Sequence, residues 1–334
     1  MNKRLLIGIT ASLFFLWLAV RKVNFQEFGH ALAQVRLGYV IPAFLLTLVV
    51  CLLRAYRWRL LFSEVKPIPV GRLLSVIMIG FLANNVMPAR LGDLAMAHLM
   101  GSREDISRSL ALGTIFIDRL LDVAALVLLL AMSVFFLFSH VPTWIARIEI
   151  LGALLLCGAF LVVWLSVARK ESAARLLGFM VNPLPIALRD RVLQIYSRFV
   201  DGLAVLSRAP VLAKAVGLSV LIWLCLALGV YLIFLAFGFM MGPVAAVIVL
   251  AIVNLGLVIP SAPASIGTFQ FFCVAALALF RIEESTALSF SVIYHLSQFV
   301  PTTLVGLYFL NRENLSFHRL ARVGAVQRSA VSPS

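Results

Sequence analysis

Charge is what this sequence has least of. Only 13% of its 334 residues are Asp, Glu, Lys or Arg, about half the roughly 25% of a soluble domain. Acidic residues are scarcest, at 14 against 28 basic ones. This poverty excludes a soluble globular enzyme, and the 63% hydrophobic content excludes disorder. Cysteine is also rare. Cys51, Cys157, Cys225 and Cys273 each lie in an apolar run and form no C-x-x-C pair. They read as small buried hydrophobes, not as a disulfide framework or a metal site. The histidines form no His-x-x-x-His pair and no phosphate-binding loop motif occurs, so no metal, no cofactor and no ATP hydrolysis through such a loop is expected.

Apolar residues supply what is left, with a mean hydropathy of +1.06. The formal charge of +14 lies between long apolar runs, so membrane orientation explains it better than nucleic acid. Six runs approach or exceed a span of about 20 residues: Leu5–Val20, Tyr39–Leu53, Leu110–Phe138, Ile148–Val167, Val211–Phe237 and Ala287–Leu310. The first follows Lys3-Arg4, lacks a small-x-small cleavage site and reads as a retained anchor.

Two more apolar regions are interrupted. Leu73–Met100 contains Asn84, Asn85, Pro88, Arg90, Gly92 and Asp93; Val244–Phe280 contains Asn254, Pro260, Ser261, Pro263, Ser265 and Gly267. The basic loop 54–72, the basic segment 168–210 and the basic tail fall in the cytoplasm by the positive-inside rule, with the N-terminus. Each interrupted region must then enter and leave on one face, as a re-entrant hairpin or a pair of short helices.

The expected fold is an all-α polytopic membrane protein with an inverted-topology repeat. Residues 1–138 form the first repeat, 139–147 an outer loop, 148–310 the second repeat with a cytoplasmic amphipathic linker at 168–210, and 311–334 a cytoplasmic tail. The breaks echo each other: Pro88-Ala-Arg-Leu-Gly-Asp against Pro263-Ala-Ser-Ile-Gly-Thr. Half-helices starting after Pro88 and Pro263, the latter capped by Ser265, would offer N–H donors to an anion such as phosphate. In the linker, Leu188, Val192, Ile195, Tyr196, Phe199, Leu203 and Leu206 recur at helical spacing among arginines. This reads either as an interfacial helix or as a connector packed on the bundle.

Ionisable groups inside a span normally face a cavity or a partner. Asp118, Arg119 and Asp122 sit in the third run, and Asp118 and Asp122 share a face. They read either as a bundle lock or as part of a headgroup or proton path. Arg90 could grip a phosphate or neutralise Asp93. Arg54, Arg57 and Trp58 read as a cytoplasmic lipid-facing anchor. His295 and Gln298 read as a hydrogen bond between spans.

In combined order, Arg54-x-x-Arg57-Trp58, Asn85-x-x-Pro88-x-Arg90-x-Gly92-Asp93, Asp118-Arg119-x-x-Asp122 and Pro260-x-x-Pro263-x-Ser265-x-Gly267 resemble the flippase-like membrane domain of the lysylphosphatidylglycerol synthase family. The resemblance covers nearly the whole chain. It implies a protein that binds or moves lipids, of the anionic phospholipid, polyprenyl-phosphate or hopanoid class, without ATP. Gln270 stands where an acidic residue is expected in many relatives, which argues against a proton-coupling role there. No soluble aminoacyl-transferase domain follows, so lysyl transfer is not implied. The rival expectations are an integral membrane enzyme of lipid headgroup modification and a membrane scaffold for lipid biosynthesis. Membrane lipids are the expected partners, nucleic acid is not, and self-association stays open.

Overall fold

The computed structural model describes residues 3–87, 91–136, 143–203, 208–259 and 261–315. Among them are thirteen α-helices, one 3₁₀ turn and no strand. They run α1 (Lys3–Val20), α2 (Phe25–Ala33), α3 (Leu37–Leu61), α4 (Val70–Val86), α5 (Gly92–Arg103), α6 (Arg108–Phe136), α7 (Thr143–Ala168), α8 (Lys170–Met180), α9 (Ile186–Asp201), α10 (Ala209–Ala236), α11 (Pro243–Gly256), α12 (Thr268–Ala278) and α13 (Glu284–Arg312). The chain is an all-α polytopic membrane protein. Every apolar run becomes a helix of at least 18 residues: α1, α3, α6, α7, α10 and α13. Among the described residues, α3, the stretch Ile150–Ala168 of α7, and α10 have both the length and the apolarity to cross a membrane. α6 and α13 are as long; α6 carries three charges, Asp118, Arg119 and Asp122, and α13 a series of serines and threonines.

Both interrupted regions break in two, as α4–α5 and α11–α12. Each piece is shorter than a span. The order of elements is therefore the same in both halves: two long helices, a broken pair, one long helix. The linker differs from expectation. It is two helices, not one, because Pro183 and Pro185 cannot continue α8; α9 starts directly after Pro185. Leu203 lies beyond the end of α9, and Leu206 lies outside the described residues.

The chain forms two compact units, each drawing on both halves of the sequence. One comprises 1–51, 77–92 and 222–334; the other comprises 52–76 and 93–221. In the first unit α12 packs on α1, α11 and α13, and α2 lies along α13. Asn24 caps α2, and its own N–H donates to Ser285 Oγ (3.0 Å), while Ser289 Oγ donates to the Phe28 carbonyl (2.9 Å). In the second unit α6 packs on α7 and α9. The α6–α9 approach depends on glycine: a Cβ on Gly113 would meet the Phe199 carbonyl, and one on Gly202 the Leu110 carbonyl.

Candidate functional site

The second unit holds a buried charge network. Arg57, on α3, is fully buried at 0% exposure. Its Nε donates to Asp118 Oδ1 (2.8 Å) and its Nη1 to Asp122 Oδ1 (2.8 Å) and Ser219 Oγ (2.7 Å). One turn earlier, Arg54 Nη1 donates to Asp122 Oδ2 (2.6 Å). On α6, Arg119 Nη2 donates to Asp93 Oδ1 (2.8 Å). Its Nη1 lies 3.9 Å from Asp118 Oδ2 and 3.7 Å from Asp122 Oδ2. Three arginines thus meet three aspartates, and the formal charges cancel. Such pairs are held by hydrogen bonds on both partners, and removing either one strands a buried charge.

The network is graded in exposure. The Arg57 side chain is sealed, Arg54 and Asp122 are nearly so, and the Arg119 and Asp93 side chains are 35% and 36% exposed. The Arg119–Asp93 pair is therefore the most exposed edge of the network. These positions also correct the expected anchor. Arg57 and Trp58 do not face lipid: the three-residue offset puts Arg54 and Arg57 on the side of α3 turned to the aspartates. Trp58 is buried, with Nε1 donating to Thr114 Oγ1 (3.2 Å). Asp93 is neutralised by Arg119; Arg90 and Pro88 lie outside the described residues.

Sequence reasoning missed a second cluster in this unit. Glu104 is buried and meets Arg72 (3.1 Å) and Lys66 (3.2 Å). It closes the base of the α4–α5 pair, bringing the first turn of α4 beside the end of α5. The local sequence signal was no more than Glu104 and Asp105 set between Arg103 and Arg108.

The first unit holds a neutral polar site on α13. Asn85, at the end of α4, donates to Thr303 Oγ1 (2.9 Å) and Thr302 Oγ1 (3.3 Å). Gln270, on α12, hydrogen-bonds His295 Nδ1 (3.1 Å), and the His295 ring stacks on Phe269. His295 and Thr302 are seven residues apart, so they share a face of α13. Both broken pairs are thereby fastened to one helix within this unit. The expected inter-helix hydrogen bond of His295 is present; Gln298 lines a small cavity with Thr47 and Tyr294.

The breaks themselves are built alike. Gly92 N–H donates to Asn84 Oδ1 (2.8 Å), and Gly267 N–H donates to Gln270 Oε1 (2.7 Å). Neither glycine has room for a side chain: a Cβ would meet the Gly80 carbonyl at Gly92 and the Ser12 carbonyl at Gly267. Of the N–H donors expected to be offered to an anion at the half-helix starts, one at each break is already taken by a side chain of the protein. Ser265 does not cap α12. It sits in the 3₁₀ turn Pro263–Ser265 at φ 56°, as does Ala264, and Gly267 at φ +88° takes the cap position. Ser261 Oγ donates to Ser265 Oγ (3.2 Å), and the Ala262 N–H donates to Ser12 Oγ (2.7 Å). Asn254 bonds back to the Leu250 carbonyl of its own helix (2.8 Å). Cys51 and Cys273 are buried as expected, whereas Cys157 is exposed on α7.

Polar side chains at paired helix breaks, with a buried charge network, define a polytopic helical membrane protein with internal polar sites. A family model described as the lysylphosphatidylglycerol synthase TM region matches residues 5–306. The chain belongs to that family. It is 27% identical over 236 residues to a UPF0104 membrane protein of Methanocaldococcus jannaschii, covering 70% of this chain and 95% of the relative. A UPF0104 membrane protein of Methanothermobacter thermautotrophicus is 24% identical over 296 residues, covering 84% and 87%. A second from M. jannaschii is 21% identical over 312 residues, covering 90% and 92%. No solved structure matches.

Proposed function

We propose that the protein binds an anionic lipid headgroup and moves it between leaflets without ATP. The observation that carries this reading is the graded network: sealed at Arg57, accessible at Arg119 and Asp93. A headgroup phosphate, with oxygens spaced like a carboxylate's, can take the place of Asp93 on the Arg119 guanidinium. Arg57 holds Asp118 and Asp122 in position while this exchange occurs. In the first unit, the amides and hydroxyls of Asn84, Asn85, Ser261, Ser265 and Gln270 form a separate, neutral set of polar groups that can exchange their internal bonds for a ligand's; the lipid tails stay in the bilayer.

The arrangement in the membrane belongs to the same proposal. Residues 1–138 and 148–310 act as inverted repeats. The α4–α5 pair dips in from the cytoplasmic side and the α11–α12 pair from the outer side. Both termini are cytoplasmic, in the cell membrane. The Glu104 clamp supports the first of these placements, because it holds both ends of α4–α5 together.

Proteoliposomes carrying the purified chain test the reading. Transbilayer movement of a labelled anionic lipid should exceed that in protein-free vesicles, and lipid mass spectrometry should find every headgroup unmodified. Equal rates with and without protein would refute transport. A new headgroup species would make the protein an enzyme instead.

A further inference from the structure

Outside both polar sites, the α8–α9 pair carries an apolar surface that is exposed among the described residues. Phe179, Met180 and Ile186, at its turn, are 79%, 68% and 78% exposed. Exposing such side chains to water is unfavourable by about 25 cal/mol per Å². On α8, Leu176, Phe179 and Met180 share one face, and Arg175 borders it. On α9, Leu188, Arg191, Ile195 and Arg198 alternate along an exposed stripe at three- and four-residue spacing. Between Arg169 and Asp201 there are six basic and three acidic side chains. Arg191 and Arg198 form no ion pair among the described residues.

The base of this pair is fixed while its turn is not covered. Lys170 Nζ meets Asp201 Oδ1 at 2.6 Å, and Gly178 lies against Leu193. The end of α9 is seated on α6 through Gly113, Gly202 and the Phe116–Phe199 ring contact at 5.9 Å. The two helices therefore form a firm hairpin with an apolar tip and with Arg175, Arg191 and Arg198 on its exposed faces.

We propose that this hairpin docks on an anionic bilayer surface, with Phe179, Met180 and Ile186 inserted below the headgroups and Arg175, Arg191 and Arg198 meeting lipid phosphates. The charge pattern selects this occupant. Long basic side chains alternating with apolar ones can keep their stems in the apolar layer and their guanidinium groups at the phosphates. The docking rests on the membrane class of the protein and not on transport, so either can fail alone.

The test is site-directed spin labelling of the full chain in nanodiscs, with Phe179→Cys in a background whose four native cysteines are replaced by Ala. In bilayers containing phosphatidylglycerol, the label should collide with oxygen and be shielded from an aqueous nickel chelate. It should become more accessible to the chelate in pure phosphatidylcholine, and in the Arg175→Glu/Arg191→Glu/Arg198→Glu variant. Hydrogen exchange of the unlabelled wild type should likewise slow over 176–198 when phosphatidylglycerol is present. Free access of the chelate in anionic bilayers would overturn the proposal, as would shielding from both reagents, which marks a protein contact. Insertion or exchange that ignores lipid charge would also overturn it.

Discussion

The two units solve the problem of polar groups in an apolar protein in opposite ways. One uses neutral amides and hydroxyls, as in Asn85 with Thr302 and Thr303 and Gln270 with His295. The other uses full charges, as in Arg57 with Asp118 and Asp122. Neutral bonds between helices in a membrane are weak, averaging about 0.6 kcal/mol in the best-measured case. They fasten helices and are easily rearranged. Buried ion pairs tolerate no missing member. An ionic network is therefore a rigid frame wherever it is sealed, and its exposed edge is the part we propose binds a headgroup.

Arg57→Ala should have the largest effect, because it removes the sealed partner that hydrogen-bonds both Asp118 and Asp122 and leaves Asp118 with only the 3.9 Å approach of Arg119. We expect a loss of about 3–5 kcal/mol, seen as a collapse of the thermal melt or loss of monodisperse protein in detergent. Arg57→Met with Asp118→Leu should recover part of it, since Asp122 keeps Arg54. Gly267→Ala ranks second. It adds a side chain at positive φ and against the Ser12 carbonyl, at a cost of roughly 2–5 kcal/mol. Gly92→Ala meets only the steric term, roughly 1–3 kcal/mol. Similar melting losses for the two would erase the difference between the breaks. Asn85→Leu should cost only about 0.6 kcal/mol. A loss comparable to that of Arg57→Ala would erase the contrast between the neutral and charged sites.

The smallest effect concerns Glu283, which caps α13. Burial pushes its carboxyl up, but the Ser285 and Thr286 backbone N–H groups outweigh that and hold it below the usual range. Its contribution is present above about pH 4.3, the unfolded value, and is lost as pH falls through the lower folded one. Melts of the wild type and Glu283→Gln should therefore converge below that pH and separate slightly above it.

Much of this was legible in the sequence. Apolar runs gave the six long helices, because length and apolarity decide a span without tertiary context. Asn84, Asn85 and Gly92, and Pro263 and Gly267, marked both breaks, because helix interiors tolerate such residues poorly. The partners were not legible. Arg57 and Trp58 sit near the end of an apolar run, where anchors also sit. Only the aspartates across from them distinguish the two roles, and no local pattern encodes that facing. Asp93 has Arg90 nearby in sequence, yet its partner Arg119 lies 26 positions away. The capping of α12 misled for a different reason. Ser265 is the better cap by residue type, but the turn places Gly267 at the helix start, with Gln270 reaching back to it. The split of α8 from α9 was written in Pro183 and Pro185, and the apolar periodicity of the linker, which starts at Leu188, belongs to α9 and its C-terminal end and not to α8.

The most direct measurement is the rate of anionic-lipid translocation per folded protein for Arg119→Gln against wild type, in vesicles also carrying a labelled zwitterionic lipid. If Arg119 is the open edge of the network, the variant should stay folded and lose most of its acceleration of the anionic lipid. An unchanged anionic-lipid rate in a folded Arg119→Gln protein would contradict the account.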